Sequence, residues 1–321
     1  MTNTPKKVTL LAGGVGGAKM AEGLAALEDV DLSVIGNIAD DQMFHGLWVS
    51  PDIDTLTYSL AGLIDRAQGW GVTADGDRAL SMLARLGKET WMKLGDYDLG
   101  LHIYRSERLK KGDRRSCIAR DIATRLAVPA CLLLPTDDIV QTRVKTDHGW
   151  LSFQEYFVKA RCVPEVHELN YNGLESAHAT PEAIEALSAA DLIVIAPSNP
   201  LVSITPIVGI AGIRQALDAR VAPVIAVSPL IAGKVVKGPA DKMMKGLGMR
   251  ADALGVAQHY LGYCDGILID HQDVNLLPEI ERLGMQVFCS DILMQTPSEK
   301  VGLATALLDR ADAINRREIS A

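Results

Sequence analysis

Four aspartates lie within fifteen residues after the second apolar segment of the sequence: Asp40, Asp41, Asp52 and Asp54. Carboxylate oxygens are the hard ligands that Mg²⁺ prefers, and Mg²⁺ often bridges such side chains to substrate phosphates. Asp52 and Asp54 also stand before a helical pattern starting at Thr55, where aspartate is a good N-cap. We interpret Asp52 as structural and predict that Asp40, Asp41 and Asp54 bind the metal.

A glycine-rich loop, G-G-V-G-G-A-K at residues 13–19, separates the first predicted strand from the first predicted helix. Glycines allow a phosphate to approach the backbone, and a helix N-terminus offers free N–H groups and partial positive charge. The spacing matches neither the dinucleotide G-x-G-x-x-G motif nor a Walker A loop. We predict that the loop binds an anion, with a plain strand-to-helix turn as the alternative.

Polar residues follow later segments as well. Aromatic rings and charged groups that suit a heteroaromatic ligand occur together in W-M-K-L-G-D-Y-D at residues 91–98, followed by His102 and Arg105. A charged surface loop has the same composition. Two more polar loops each follow directly after an apolar run: A-P-S-N-P at residues 196–200 and S-P-L-I-A-G-K at residues 228–234. Polar loops after several strands describe a crevice for a phosphorylated ligand, whereas a rigid turn is the simpler interpretation of each.

The elements that must position these residues alternate along the chain. Short runs rich in Val, Ile and Leu are typical of strands covered on both faces, and helical patterns separate them. We therefore predict a three-layer Rossmann-like α/β fold with a parallel sheet. The predicted strands are 8–12, 31–36, 129–134, 191–196, 223–227 and 266–269, and the predicted helices are 18–27, 55–66, 77–86, 114–126, 181–189 and 298–310.

Two segments depart from this alternation within what we predict to be a single domain over residues 1–321. Residues 141–145 and 150–158 alternate polar and apolar side chains around a D-H-G turn, which predicts an appended antiparallel hairpin over 141–158. Residues 70–113 are rich in glycine, charge and aromatics. We expect a helical insertion or lid there.

Composition narrows the function class. The 321 residues are 48% hydrophobic and carry a net charge of −8, which argues against a sequence-independent nucleic-acid binder. No run approaches the roughly 20 apolar residues of a membrane helix, and residues 8–12 are too short for a signal-peptide core. Five scattered cysteines indicate reduced thiols rather than a disulfide framework or a thiolate zinc site. We expect a cytoplasmic protein without nucleic-acid or membrane partners.

Seven motifs in order resemble the 2-phospho-L-lactate transferase (CofD) family of coenzyme F-420 biosynthesis: G-G-V-G-G-A-K, A-D-D, H-G-L, P-D-I-D-T, L-G-D-Y-D, A-P-S-N-P and S-P-L-I-A-G-K. The resemblance implies a Mg²⁺-dependent enzyme, usually a homodimer. It also implies transfer of a phospho-acyl unit from a guanosine-diphosphate-activated acid to the ribityl hydroxyl of the deazaflavin Fo, releasing GMP. The product would be of the coenzyme F-420-0 type.

The same resemblance implies roles for individual residues. Asp54 and Lys93 match positions expected to contact Fo, and His45 and Asp96 are placed in the same substrate site. Asp54 would orient the ribityl hydroxyl or accept its proton, and Asp41 is the second catalytic candidate. The residues assigned to the guanylate and its phosphates are Gly14, Gly16, Gly17, Lys19, Ser198, Asn199 and Lys234.

Two other functions fit parts of the pattern. The related gluconeogenesis-factor family, which binds nucleotide-sugars in a regulatory role, shares the glycine loop and an acidic pair. After the acidic pair the sequences differ: that family has the pattern D-D-G-G-S-S-G, and this chain has D-D-Q-M-F-H-G. An NAD-dependent oxidoreductase is suggested by fold alone, and no acid stands directly at the end of the second strand. The transferred acid stays open among phospholactate, phosphoenolpyruvate and phosphoglycerate, which differ by one small group.

Overall fold

The computed structural model describes residues 4–318 and places the apolar segments of the sequence in a central sheet. In chain order, the strands are β1 Lys6–Ala12, β2 Val30–Gly36, β3 Gln42–Phe44, β4 Leu47–Val49, β5 Cys131–Leu133, β6 Gln141–Thr146, β7 Gly149–Ser152, β8 Glu168–Asn172, β9 Leu192–Ile195, β10 Val224–Val227, β11 Leu230–Ile231, β12 Lys234–Val235, β13 Gly266–Ile269 and β14 Gln286–Cys289.

Helices separate most of these strands. They are α1 Gly14–Ala25, α2 Pro51–Leu60, α3 Arg78–Arg85, α4 Asp96–Lys110, α5 Arg115–Arg125, α6 Pro181–Ser188, α7 Thr205–Val208, α8 Ala211–Asp218, α9 Ala240–Gly246, α10 Ala253–His259, α11 Leu277–Glu281 and α12 Pro297–Glu318. Four further helical segments of other geometry lie among the described residues: Glu155–Lys159, Leu174–Ser176, Pro200–Ile204 and His271–Leu276.

Seven of the strands form one parallel sheet in the order β14-β13-β10-β9-β1-β2-β5. The chain starts at β1, proceeds outward through β2 and β5, and then returns to build the other half from β9. The strand order therefore reverses between β1 and β9. Ligands of open α/β sheets bind at such a reversal, beyond the carboxyl ends of the strands. The loops after β1, β2 and β9 meet there.

The core confirms the predicted three-layer architecture. Every residue of β9, β10 and β13 is buried, as expected for strands covered by helices on both faces. Helix α1 packs against α2 and α12, and α6 packs against α8. The sequence pattern missed the edge strand β14, which pairs with β13.

The predicted hairpin is correct in its first half and wrong in its second. β6 pairs with β7, but β7 ends at Ser152 and the chain turns into Glu155–Lys159. Ser152 and Glu155 form a capping box, in which each backbone N–H donates to the other's side chain, at 2.7 and 3.2 Å. β8 also pairs with β6, so the appended unit is a three-stranded sheet.

Helix α2 also differs from its prediction at residues 55–66, since it begins at Pro51 and ends at Leu60. Proline suits the first helical position because its missing N–H would have no partner there. Ser50 is therefore the N-cap residue, and Asp52 and Asp54 lie in the first turn. The N-cap interpretation of both aspartates is wrong.

The segment predicted as an insertion, residues 70–113, is helical and contains α3 and α4. Two aspartates cap these helices reciprocally. The backbone N–H groups of Arg78 and Ala79 donate to Asp96 at 3.3 and 3.0 Å. Those of Tyr97 and Asp98 donate to Asp75, at 2.9 and 3.4 Å. Each carboxylate thus satisfies free N–H groups at the start of one helix.

No single helix among residues 4–318 has the length and apolar character needed to cross a membrane. One pair, Pro200–Val208 and Ala211–Asp218, passes on combined length and composition but is bent by 82°. The predicted single domain, residues 1–321, extends at both ends beyond the described residues, so residues 1–3 and 319–321 lie outside them.

Gly16 should be required for packing. A Cβ there would lie 2.2 Å from the carbonyl oxygen of Pro197, closer than any side chain tolerates. We expect Gly16→Ala to lower the free energy of unfolding by about 1–3 kcal/mol. Gly302→Ala is the control, because nothing lies within 4 Å of a Cβ there, and it should stabilise α12 by about 0.5–1 kcal/mol. Urea denaturation of both variants measures the difference, and equal stabilities would contradict the contact.

Candidate functional site

Asn37 organises the polar end of β2. Its backbone N–H donates to the carbonyl of Ala12 at 2.8 Å, and its side-chain oxygen accepts the N–H of Ala39 at 3.0 Å. The Nδ2 group donates to Asp40 Oδ1 at 3.3 Å and to Asp52 Oδ2 at 3.0 Å. One amide therefore joins a carboxylate from the loop after β2 to a carboxylate from the first turn of α2.

Asp40 and Asp52 are a buried pair of like charges. Burial raises the pKa of Asp40 well above its ordinary range, and the carboxylates of Asp52 and Asp41 add to the effect. Burial raises the pKa of Asp52 to about 6, although hydrogen bonds from Asn37 and from the Gly14 backbone oppose it. Two such carboxylates hold a proton or attract a cation.

Asp41 has one carboxylate oxygen engaged and one free. Oδ2 accepts hydrogen bonds from Trp48 Nε1 at 3.1 Å and Ser50 Oγ at 2.7 Å. Oδ1 is buried and has no hydrogen-bond partner among the described residues. Burial raises the pKa of Asp41 to about 7, with the hydrogen bond from Ser50 and the charge of Arg105 acting in the opposite direction.

Asp54 is held differently, in an ion pair with Arg105 of α4. Arg105 Nη2 donates to Oδ1, and Nη1 donates to Oδ2 at 3.2 Å. The two side chains are 7% and 6% exposed. The guanidinium thus contacts both oxygens of one buried carboxylate, the arrangement in which arginine recognises carboxylates most specifically.

The glycine loop packs tightly on this cluster. The Gly13 N–H donates to Ser198 Oγ at 3.1 Å, and the same hydroxyl donates to the Gly13 carbonyl at 2.8 Å. A Cβ at Gly13 would lie 2.4 Å from Asp52 Oδ2, and one at Gly17 would lie 2.9 Å from Ala12. Gly14 has a positive φ of 60°, and a Cβ there would lie 3.8 Å from Asp52 Oδ1. The glycines therefore allow the loop to pack closely on Asp52 and Ser198.

Two lysines stand near the start of α1. Burial and the charge of Lys300 lower the pKa of Lys19, and burial and the charge of Lys19 lower the pKa of Lys237. Lys237 Nζ also donates to the Gln68 carbonyl. Repelling ammonium groups favour an anion between them, and the carboxylates of Glu22 and Glu299 already offset part of the charge of Lys19.

A sequence model of the family described as 2-phospho-L-lactate transferase CofD matches residues 8–295. This chain belongs to the CofD family. The glycine loop, the carboxylates behind β2 and the β9 loop all fall within the matched residues, and the family is one of transferases. The match favours the transferase interpretation over the nucleotide-sugar-binding and oxidoreductase alternatives.

Similar proteins carry two transferase names. A phosphoenolpyruvate transferase from Streptomyces griseus is 36% identical over 315 residues, covering 96% of this chain and 99% of the relative. A 2-phospho-L-lactate transferase from Methanopyrus kandleri is 38% identical over 306 residues, covering 94% and 96%. The crystal structure of a UPF0052-family protein from Bacillus halodurans, 15% identical, matches with a TM-score of 0.61 over 95% of this chain and 99% of that one. This last likeness concerns the fold.

Two residues predicted to contact the nucleotide have structural partners within the chain. The Ser198 hydroxyl is engaged with the backbone of Gly13. The Asn199 side chain accepts the N–H groups of Leu201 and Val202, at 3.0 and 3.4 Å, and so caps the turn Pro200–Ile204. Lys234 is exposed in the small β11–β12 hairpin. Nucleotide contacts by these residues stay predictions.

Residues predicted for the Fo site are spread over separate elements. Lys93 is exposed just before α4, and His45 is exposed at the tip of the β3–β4 hairpin. His45 and Gly46 both have positive φ, 51° and 81°, so H-G forms the two-residue turn of this hairpin. Asp96 caps α3, which is a sufficient structural reason for its presence.

The predicted metal ligands Asp40, Asp41 and Asp54 are not arranged as a preassembled set. Among residues 4–318, no three or more His, Cys, Asp or Glu side chains are grouped so as to form a complete metal site by themselves. Sequence reasoning also missed the carboxylate pairing of Asp52 and the partner of Asp54. The repeat of polar residues at positions 98, 102 and 105, one helical face, was the available signal for the latter.

The raised pKa values predict how stability depends on pH. Three buried carboxyl groups keep protons in the folded state that the unfolded chain releases near pH 4. The pKa is about 7 for Asp41 and about 6 for Asp52 and for Asp98. The free energy of unfolding therefore falls as the pH rises through this range. Burial lowers the pKa of His102 to about 4 and also lowers the pKa of His259, and these two groups act in the opposite direction.

Without divalent cations, we expect the melting temperature to fall between pH 5 and pH 7. Asp41→Asn removes the carboxyl group whose pKa, about 7, is the highest of these three and should flatten the decline between pH 6 and pH 7. Thermal denaturation in a chelator, with the parent and the variant in parallel, measures both curves. A melting temperature that rises across this range would contradict the assigned charge states.

Proposed function

We propose that this chain transfers a phospho-acyl unit from its guanosine-diphosphate-activated form to the ribityl hydroxyl of the deazaflavin Fo. The reaction releases GMP and forms a product of the coenzyme F-420-0 type. The observation that supports it most is the buried carboxylate cluster at the sheet's reversal point, next to the glycine loop, in a CofD-family chain. The two transferase names among the relatives, phosphoenolpyruvate and 2-phospho-L-lactate, each describe one of the three candidate acids.

The start of α1 is the proposed site for the diphosphate. The helix has twelve residues, begins at Gly14 and carries no acidic side chain in its first turn. The partial positive charge at this helix start favours an anion, and the Gly14 N–H already donates to the Asp52 carboxylate. Lys19 and Lys237 would offset the charge on the donor.

Mg²⁺ is the proposed cofactor, and the side chains present fit it. Asp40 and Asp52 offer carboxylate oxygens that accept hydrogen bonds but form no ion pair among the described residues. Mg²⁺ needs only one or two carboxylates when phosphates and waters complete its shell. In our proposal Asp52 takes the place of Asp54, because Arg105 already occupies both oxygens of Asp54. Bound there, the ion would offset negative charge on the diphosphate.

In this proposal Asp54 orients the acceptor hydroxyl and Asp41 takes its proton. An ion-paired carboxylate is a weak base but still accepts a hydrogen bond, so Asp54 orients the attacking hydroxyl. Asp41, with one free oxygen and a pKa of about 7, is suited to take the proton. Lys93 and the Trp91 ring, packed edge-on against Phe44, would contact the deazaflavin. A homodimer and a cytoplasmic location stay predictions.

The direct test incubates the protein with Fo, Mg²⁺ and each of the three guanylate-activated acids, then weighs the products. We expect one donor to give an Fo adduct with stoichiometric GMP, and excess EDTA to abolish turnover. Asp41→Asn should reduce kcat by roughly 10²-fold or more. Asp218→Asn, at an exposed ion pair with Arg214, is the matched control. No adduct with any donor, together with tight binding of a nucleotide-sugar, would overturn the proposal.

A further inference from the structure

Helices α2 and α4 meet through a buried row of polar side chains, which we call the polar seam. Asp54 and Tyr58 lie four residues apart on one face of α2. Asp98, His102 and Arg105 lie on the facing side of α4. Tyr58 donates to Asp98 Oδ1 at 2.6 Å, and Arg105 pairs with Asp54. The insertion is thus joined to the body partly through the residue proposed to orient the substrate hydroxyl.

Arg105 is fixed from several directions. Besides Asp54, its Nη1 lies 3.4 Å from the Trp48 carbonyl and 3.3 Å from His102 Nδ1. The lowered pKa of His102 leaves the imidazole neutral, so it can accept from the guanidinium rather than repel it. The arginine side chain is only 7% exposed. These contacts determine where the guanidinium lies, and hence how the carboxylate plane of Asp54 is turned.

We propose that Arg105 is a positioning residue, which fixes the Asp54 carboxylate in the orientation that receives the acceptor alcohol. The inference rests on the proposed function, because it assumes that Asp54 contacts this hydroxyl. Arg105 itself does not touch substrate. Its two donors leave each Asp54 oxygen one further lone pair, directed away from the guanidinium, and this restricts where a hydroxyl can donate.

Lysine at position 105 separates geometry from charge. It keeps the positive charge but offers a compact ammonium in place of the planar fork, so it cannot hold both Asp54 oxygens at once. We expect Arg105→Lys to lower kcat and raise the KM for the alcohol, together reducing kcat/KM by roughly 10- to 100-fold. The KM for the guanylate-activated donor should change by less than about twofold, because the donor site lies on other residues.

Tyr58→Phe is the matched control within the polar seam. It removes the hydrogen bond to Asp98 between the same two helices but leaves Arg105 and Asp54 in place. Kinetics are measured well below each variant's melting temperature. A seam that only holds the insertion in place predicts similar kinetic losses in both variants, and that result would overturn the proposal. A selective rise in the alcohol KM for Arg105→Lys alone supports it.

Two further results bear on the positioning role. If Arg105→Lys does not fold, His102→Leu removes the imidazole beside Nη1 and should give the same selective rise in the alcohol KM, and an unchanged value would contradict the proposal. If the parent protein forms no Fo adduct with any donor, the proposed function fails and the positioning role falls with it. Adduct formation by the parent with unchanged kinetics in Arg105→Lys refutes the positioning role alone.

Discussion

The burial of negative charge in the loop after β2 and in the first turn of α2 is the constraint on which the rest of the structure depends. Four aspartate side chains, each at most 8% exposed, converge where the sheet reverses its order. Removing a carboxylate from water is costly unless a cation or several hydrogen bonds compensate it. Within the described residues, only Asp54 of these four has a full cationic partner. The other three share amide, indole and hydroxyl donors, so the cluster retains an affinity for protons or cations.

The surrounding elements supply hydrogen-bond donors or a cation to these four carboxylates in unequal measure. Asn37 is placed to donate to two carboxylates at once, and the glycine loop packs so closely on Asp52 that a Cβ at Gly13 would collide with it. The insertion contributes the arginine that neutralises Asp54. The glycine loop, the carboxylates and the insertion, which are separate features in the sequence, are therefore one connected structure. In it, the loop after β1 packs on Asp52, and the helix α4 pairs through Arg105 with Asp54, two residues further along α2.

Much of this arrangement could be predicted from the sequence. Unbroken runs of Val, Ile and Leu indicated the parallel strands, and polar loops after those strands located the site, because carboxyl ends of parallel strands share one edge. Local chemistry was less well predicted. An aspartate before a helical pattern resembles an N-cap, and Pro51 was the overlooked indication that α2 begins earlier. The partner of Asp54 lies 51 residues away, and the polar helical face at positions 98, 102 and 105 does not indicate which carboxylate it pairs with.

We propose that Arg105 keeps Asp54 out of the metal site and leaves Asp40 and Asp52 to bind the cation. Anomalous diffraction from crystals soaked in Mn²⁺, a substitute for Mg²⁺ with a detectable signal, tests it directly. We predict a single peak within bonding distance of carboxylate oxygens from Asp40 or Asp52, with the Asp54–Arg105 ion pair intact. A metal bound directly to Asp54, with the guanidinium displaced from it, would contradict the claim.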